Sequence, residues 1–376
     1  MAGWSGVELD GLVLHSGRLT LRPWQPEDAA AVRAVMADER MHQHLALPWP
    51  YTDSDAHAFV TGHARAGRAA GSRLDCAIAE NASGRLVGSA TLQLPVGADS
   101  SAEIGYWIAA ADWGRGYATE ATRTLTRFGL ANGLARIQIR CEVPNAASAV
   151  VALRAGFAFE GVSRASLRSG GLGGDGLRDG AVFARTAGDP DKPVEPSWPK
   201  LEPLSDGVIT LRPGGPDDWP VLLAEANNEA ARQWALYDKP MPEAGARAMA
   251  ARAPLDRLVS SQNLLLICEA ASGAGAGVLG LRRPGPPNVV ALGYGVLPEF
   301  RGRGFTARAL RLLADWAFST TPTVRLELGC KAANVASARA ALSAGFTEEG
   351  RMGCRLPNPD GSHSDEIGFG LVRPAG

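Results

Sequence analysis

The sequence predicts an α/β fold made twice: two tandem domains of one design joined by an extended linker. Three observations carry that prediction. The chain repeats itself in four blocks. LTLRPWQPEDAAAV at 19–32 returns as ITLRPGGPDDWPVL at 209–222, and EIGYWI at 103–108 as ALGYGV at 291–296. WGRGYA at 113–118 returns as RGRGFT at 301–306, and CEVPNAASAVVALRAGFAFEG at 141–161 as CKAANVASARAALSAGFTEEG at 330–350. The offsets are 190, 188, 188 and 189 residues in the same order. A period that long marks a duplicated domain, because solenoid repeats run only about 20–50 residues. Each copy also carries a strand pattern that feeds a glycine-rich turn and then an apolar-striped helix. Finally, Pro190, Pro193, Pro196, Pro199 and Pro203 fall within 187–207. Proline fixes φ and removes a backbone donor, so this stretch is expected to be extended and semi-rigid. The expected division is 1–187, a linker at 188–204, and 205–376, each copy a comfortable domain size.

Composition narrows the class. At 376 residues the chain exceeds one ordinary core. Hydrophobic residues at 45% and charged residues at 20% give a soluble globular balance. A formal net charge of −1 provides no global field for nucleic acid or anionic lipid, so neither is an expected partner. The cysteines, Cys76, Cys141, Cys268, Cys330 and Cys354, are odd in number with no C-x-x-C pair. That argues against a disulfide framework and a zinc site. The start MAGWSGVELDG lacks the basic-then-apolar pattern of a signal peptide, and no uninterrupted apolar run reaches the roughly 18 residues of a membrane helix. The expected location is the cytoplasm.

Taken in order, each copy opens on an alternating strand, Leu19 to Arg22, stopped by Pro23. Pro26, Glu27 and Asp28 then suit the first turn of a helix and the positive end of its dipole. A stretch rich in turn formers, MHQHLALPWPYTDSDAHAFV, reads as substrate-side. Two strand-like runs follow, LDCAIAE and LVGSATLQL, matched by LLLICEA and GVLGL in the second copy. AEIGYWIA is the central strand and ADWGRGYA the turn. Ala118, Ala121, Leu125 and Phe128 form one helical stripe, as Ala309, Leu313 and Trp316 do later. RIQIRCEV is another strand, leading to Asn145 as the N-cap of a short helix. Gly156-Phe157 and Gly345-Phe346 read as left-handed C-caps with their hydrophobic contact. DGAVFART and DEIGFGLVR close the copies.

The turns carry the chemistry. At a helix N-terminus the first backbone N–H groups are unpaired, the dipole adds positive character, and glycine allows close approach, so phosphates bind there. Arg115 and Arg303 add charge. The alternative is a tight strand–helix connection with an exposed arginine. The pattern is neither G-x-x-x-x-G-K-[ST] nor G-x-G-x-x-G, which argues against a kinase or dehydrogenase. It resembles the Q/R-x-x-G-x-G/A signature of the GNAT acetyltransferase superfamily. The second copy reads Arg301, Gly302, Arg303, Gly304, Phe305, Thr306. The first reads Trp113, Gly114, Arg115, Gly116, Tyr117, Ala118. With EIGYWI before it and PNAAS and LRAGFAFEG after it, the first copy is similar to the ribosomal-protein N-terminal acetyltransferase (Rim-type) branch.

The resemblance implies a mixed, strongly twisted sheet flanked by helices, with pantetheine filling a gap between splayed parallel strands. It implies acetyl-CoA as cofactor, its pyrophosphate on the N–H groups of Arg115 to Thr119 and of Arg303 to Ala307. Backbone of Trp107, Ile108 and Ala109, and of Val296, Leu297 and Pro298, would pair with pantetheine. Asn145 and Asn334 match the family's CoA-side asparagine, with Ser148 and Ser337 three residues on. A primary amine, on a protein N-terminus or a small molecule, would attack the thioester in a ternary complex. Glu103 is the candidate base, a strand N–H near Ile108 the oxyanion donor, and Ser148 the group that meets the leaving thiolate. A solvated strand carboxylate, a local hydroxyl bond and plain helix caps are the structural alternatives for Glu103, Ser148 and the two asparagines. Ala291 stands in the Glu103 place, so the second copy lacks that carboxylate; His363, Asp365 and Glu366 are alternative bases there. His42 and His44 form an H-x-H without a third ligand, read as substrate-loop residues, and no metal is expected. SGGLGGDGLRDG, 169–180, is expected as a loop at the substrate mouth. The rival class is a pseudo-acetyltransferase that binds acyl-CoA as a sensor or scaffold. A monomer or homodimer is expected.

Overall fold

A computed structural model describes residues 7–94, 100–168, 176–234 and 240–374. Most of the 169–180 loop therefore lies outside the described residues. The chain divides into two compact units, Met1–Glu195 and Pro196–Gly376. The first contains β1 (Leu14–His15), β2 (Leu19–Arg22), α1 (Asp28–Met36), α2 (Asp53–His57), α3 (Ala64–Ala69), β3 (Arg73–Glu80) and β4 (Leu86–Gln93). It continues with β5 (Ser101–Ile108), α4 (Tyr117–Ala131), β6 (Arg136–Glu142), α5 (Ala146–Arg154), β7 (Ala158–Arg168) and β8 (Leu177–Thr186). The second contains β9 (Leu204–Ser205), β10 (Ile209–Pro213), α6 (Trp219–Ala226), α7 (Glu229–Arg232), α8 (Glu243–Val259), β11 (Gln262–Glu269) and β12 (Gly275–Arg282). It ends with β13 (Val289–Val296), α9 (Phe305–Thr320), β14 (Arg325–Lys331), α10 (Val335–Ser343), β15 (Thr347–Pro357) and β16 (His363–Val372).

Each unit holds one eight-stranded mixed sheet, ordered β1-β2-β3-β4-β5-β6-β8-β7 and, in mirror listing, β9-β10-β11-β12-β13-β14-β16-β15. Among the described strands only β5–β6 and β13–β14 are parallel. A parallel connection needs a crossover, and α4 and α9 supply it. Those two pairs part early. β5 meets β6 only over Ser101–Glu103 against Arg136–Gln138, although β5 runs to Ile108 and β6 to Glu142. β13 meets β14 only over Val289–Leu292 against Arg325–Leu328. Each unit thus has a wedge open between its central strands.

The faces beside the wedge differ in chemistry. In the second unit Val290, Leu292, Tyr294 and Val296 pack with Phe305, Ala309, Leu313 and Trp316 of α9. The helical stripe read from the sequence is this contact. The opposite face of β5 is covered in the first unit by α1, α2 and the chain between them. Trp107 joins Trp24, Phe59, Val32, Met36, Tyr51 and Val60 there.

Three features differ from the sequence reading. β7 and β15 are long edge strands that the reading left unassigned. The turn-rich substrate-side stretch contains α2, capped by Thr52 in a reciprocal capping box with Asp55. The segment expected as a linker also has tertiary contacts of its own. Asp191 pairs with Arg185 at 2.9 Å and Arg127 at 2.7 Å. Beyond Glu195, Trp198 and Leu201 are buried in the core of the second unit.

Candidate functional site

Each wedge is closed at one end by the glycine turn. Gly114 and Gly116 have φ of 77° and 80°, and Gly302 and Gly304 have 73° and 75°. This left-handed backbone costs an L side chain about 1–2 kcal/mol per residue, which accounts for glycine at both positions of both turns. The turn aims the start of α4 and α9 at the wedge. Gly116 and Gly304 are the N-caps, and neither helix has a side-chain cap. The first intrahelical bonds are Glu120 N–H to Gly116 O and Arg308 N–H to Gly304 O, each 3.1 Å. The N–H groups of Arg115, Gly116, Tyr117, Ala118 and Thr119 therefore have no acceptor among the described residues, nor do those of Arg303 to Ala307. Such orphaned donors are costly unless water or a ligand takes them.

The residue heading each turn anchors it to the central strand. The Trp113 indole N–H donates to Ile108 O at 2.7 Å. Arg301 Nε donates to the equivalent Val296 O at 3.0 Å. The Trp113 indole and the Arg301 guanidinium thus each supply an N–H to the same strand carbonyl of their own unit. The turn arginines are themselves paired, Arg115 with Asp112 at 3.4 Å and Arg303 with Glu269. A hydrogen bond from Arg85 holds the buried Asp112 carboxyl below its ordinary range.

On the wedge walls, Ala109 N–H and Leu297 N–H already donate to Val87 O and Ala276 O at 2.9 Å. Their carbonyls also accept, from Asp112 N–H at 2.8 Å and Phe300 N–H at 3.0 Å, so each has only a second lone pair left for a ligand. Asn145 Oδ1 accepts from Ser148 N–H at 3.1 Å, and Asn334 Oδ1 from Ser337 N–H at 3.1 Å. Both asparagines cap the helix that starts beside the wedge. Replacing either with alanine is expected to cost about 1 kcal/mol, read as a lower urea midpoint at constant m-value. Tyr106 O–H donates to Ser148 O at 3.4 Å, and burial pushes its hydroxyl well above the ordinary range, so it stays protonated. In the second unit the Tyr294 hydroxyl meets Ser337 Oγ at 3.0 Å. Cys141, on the β6 wall, is buried and its thiol is pushed up to about 12, so no thiolate nucleophile exists there near neutral pH.

Glu103 accepts from Arg140 Nε at 2.9 Å and from Gln138 Nε2 at 3.1 Å. The pair bridges the strands where the wedge begins, and its carboxylate is 26% exposed. Sequence reasoning missed Arg140, although i+2 alternation along β6 puts Gln138, Arg140 and Glu142 on one face. At the far end of that face His44 Nδ1 meets Glu142 Oε2 at 2.8 Å. His42 instead is buried with Nε2 on Met36 O at 2.9 Å and its ring against Trp49. The two histidines therefore serve different partners. Among the described residues no group of three or more His, Cys, Asp or Glu side chains could hold a metal ion. No described helix is long and apolar enough to cross a membrane.

Beside Gly116 lies a groove of about 640 Å³ lined by Arg18, Thr119, Glu120, Arg123, Arg127 and Arg154 among others, in which Arg18 pairs with Glu120 and Arg127 with Asp191, each at 2.7 Å. Arg123 Nε is buried there without a hydrogen-bond partner among the described residues. Orphaned N–H groups next to an arginine-lined groove fit a phosphate-bearing ligand.

A family model described as acetyltransferase (GNAT) domain matches residues 18–158 and again 209–347. The uncharacterized N-acetyltransferase p20 of Bacillus licheniformis is 27% identical over 156 residues, 40% of this chain and 85% of the relative. Two solved structures are similar to one copy at a time. Ribosomal-protein-S5-alanine acetyltransferase from Vibrio fischeri is 16% identical, with TM-score 0.42 over 46% of this chain and 97% of its own. Mycobacterium smegmatis RimJ in complex with CoA-disulfide is 25% identical, with TM-score 0.42 over 50% of this chain and 90% of its own.

Proposed function

The chain belongs to the GNAT acetyltransferase family, and we propose that it transfers an acyl group from acetyl-CoA to a primary amine. The observation that carries this reading is the unpaired amide cradle beside each open strand wedge. The N–H groups of Arg115–Thr119 and of Arg303–Ala307 hold the pyrophosphate. The groove of Arg18, Arg123 and Arg154 takes the remaining phosphate charge in the first unit. Wedge-wall backbone near Trp107 and Ile108, and near Val296, positions pantetheine, with Asn145 and Asn334 alongside. Bound acetyl-CoA supplies an acyl group activated as a thioester.

The chain's own residues do the rest. A protonated amine has no lone pair, so it must lose a proton before it attacks. Glu103 takes that proton, directly or through a water. Arg140 and Gln138 fix the Glu103 carboxylate where the wedge begins, and with its oxygens so engaged, relay through a water suits the geometry. The Ile108 N–H stabilises the oxyanion, and Ser148 meets the leaving thiolate. Because the only thiol on this wall is held protonated, direct attack is favoured over a thioester-linked enzyme. The acceptor amine sits on a protein N-terminus or a small molecule.

Glu103→Gln in the full chain is expected to lower first-unit thiol release by about 100-fold while coenzyme affinity stays within about twofold. An unchanged rate on every amine accepted by the wild type would remove Glu103 from the mechanism. Calorimetry with CoA tests the cradle itself: two binding events per chain are expected, and none would end the reading.

A further inference from the structure

The second unit lacks Glu103, and it lacks the whole ion pair: Ala291 replaces the glutamate and Gly329 replaces Arg140. A third exchange sits two turns of alternation further along the strand. Trp107, packed among the aromatic residues of the first unit, becomes Gly295. Counting from the repeated Arg22–Asp28 and Arg212–Asp218 pairs, Val35 of α1 becomes Glu225 of α6. The last two changes are complementary. A methyl placed on Gly295 would fall 1.8 Å from Glu225 Oε1, so the carboxyl occupies the space a side chain at 295 would need. Ala291, Gly293 and Gly295 alternate with Leu292, Tyr294 and Val296, which face α9. Glu225 therefore lies over the opposite face of β13, the face on which Glu103 projects in the first unit.

Its chemistry is that of an unclaimed group. No hydrogen bond to the Glu225 carboxyl exists among the described residues. Burial pushes it above the ordinary carboxylate range, and the only charge acting on it is the opposing one of Arg301. Arg301 is occupied by Val296 O and by Asn228 Oδ1 at 3.0 Å. A half-buried carboxyl without a protein partner adds little to a fold, so a role in binding or catalysis accounts for it better than a structural one. The structural carboxylates Asp28 and Asp218 look different: each accepts from an arginine.

We propose that the second unit is a working acyltransfer site in which Glu225, from α6, replaces the missing Glu103 as proton acceptor for a primary amine. This rests on the acetyltransferase reading above. The Glu225 carboxylate takes one proton from the bound ammonium. The freed nitrogen lone pair forms the C–N bond to the thioester carbonyl carbon as the C–S bond breaks. The second amine proton leaves with the thiolate, giving amide and free thiol; the proton on Glu225 returns to solvent. Because Glu225 makes no ion pair among the described residues and Arg301 is engaged by Val296 O and Asn228 Oδ1, this site suits amines that carry further positive charge.

The test uses the full chain as wild type, Glu103→Gln, Glu225→Gln and the double variant, assayed for thiol release on an amine panel that includes diamines and polyamines. The expected result is that Glu103→Gln retains release on part of the panel and the double variant loses that remainder by about 100-fold. CoA calorimetry should show two sites in every variant, which checks that the second unit is folded. An independent readout is thermal unfolding. Removing an unpaired, half-buried carboxylate should leave the midpoint of the affected transition unchanged or raise it, whereas loss of a structural glutamate would lower it. Complete loss of release in Glu103→Gln, or a double variant equal to Glu103→Gln, would overturn this inference and leave the first reading standing. A lowered midpoint in Glu225→Gln would also overturn it. No release by the wild type on any amine would overturn both.

Discussion

Valine at both Gly114 and Gly116 will remove one of two coenzyme sites, so that calorimetric stoichiometry falls from two to one. Both positions sit near φ +80°. That conformation costs an L residue about 1–2 kcal/mol and a β-branched residue more, so two substitutions charge the cradle at least about 3 kcal/mol. The turn relieves the strain by rotating its N–H groups away from the wedge, and no acceptor among the described residues holds them. A loss of 3 kcal/mol is already more than 100-fold in affinity. The Trp113–Ile108 anchor and the core contacts of α4 lie outside the strained dihedrals, so the far-ultraviolet dichroism should stay close to wild type. The matching change at Gly302 and Gly304 should remove the other site, and the four-fold variant both. Retention of two sites by the first variant would mean that the diphosphate is held elsewhere.

How much of this was readable beforehand depended on whether a feature is local. The glycines announce their own dihedrals, and an asparagine four residues after a cysteine-bearing strand announces a cap, because both needs are met within one turn of chain. The duplication itself made the tandem mixed-sheet fold legible. The wedge was implied by resemblance only; its depth follows from where register pairing stops, at Glu103–Gln138 and at Leu292–Leu328. Arg140 meets Glu103 from 37 residues away, and His44 meets Glu142 from 98 away. No local pattern encodes such pairs, which arise when the sheet brings two strands or a loop together. β7 and β15 were missed for another reason. As edge strands they bury neither face consistently, and Gly161 and Gly350 interrupt their alternation at register shifts. Glu225 illustrates the converse. It is unremarkable in the α6 sequence, and acquires meaning only beside a glycine on a strand that comes 70 residues later.

The second large effect concerns the proline-rich segment. Trp198→Ala is expected to destabilise the second unit by about 3–5 kcal/mol, lowering its melting temperature by roughly 10 °C. Composition suggests a spacer here, yet the indole is 2% exposed and packs with Ile209, Leu211, Leu265 and Leu281. Its N–H donates to Ser260 O at 3.1 Å, and the Arg283 guanidinium lies 4.0 Å over the ring. Ser197 N–H and Trp198 N–H donate to Leu258 O and Arg257 O, closing the backbone as well. Proline spacing is what makes this possible: the extended backbone lets alternate residues reach one surface, and Pro196 and Pro199 pre-order Trp198 at little entropic cost. The same contacts set where the second unit can be cut. A fragment of 196–376 should unfold cooperatively, whereas 205–376 loses Trp198 and Leu201 together and leaves Ile209 and Leu211 uncovered, which is more apolar burial than a domain of marginal stability can lose. If both fragments melt at the same temperature, the segment is a tether after all, and Trp198 covers a surface that the core does not need.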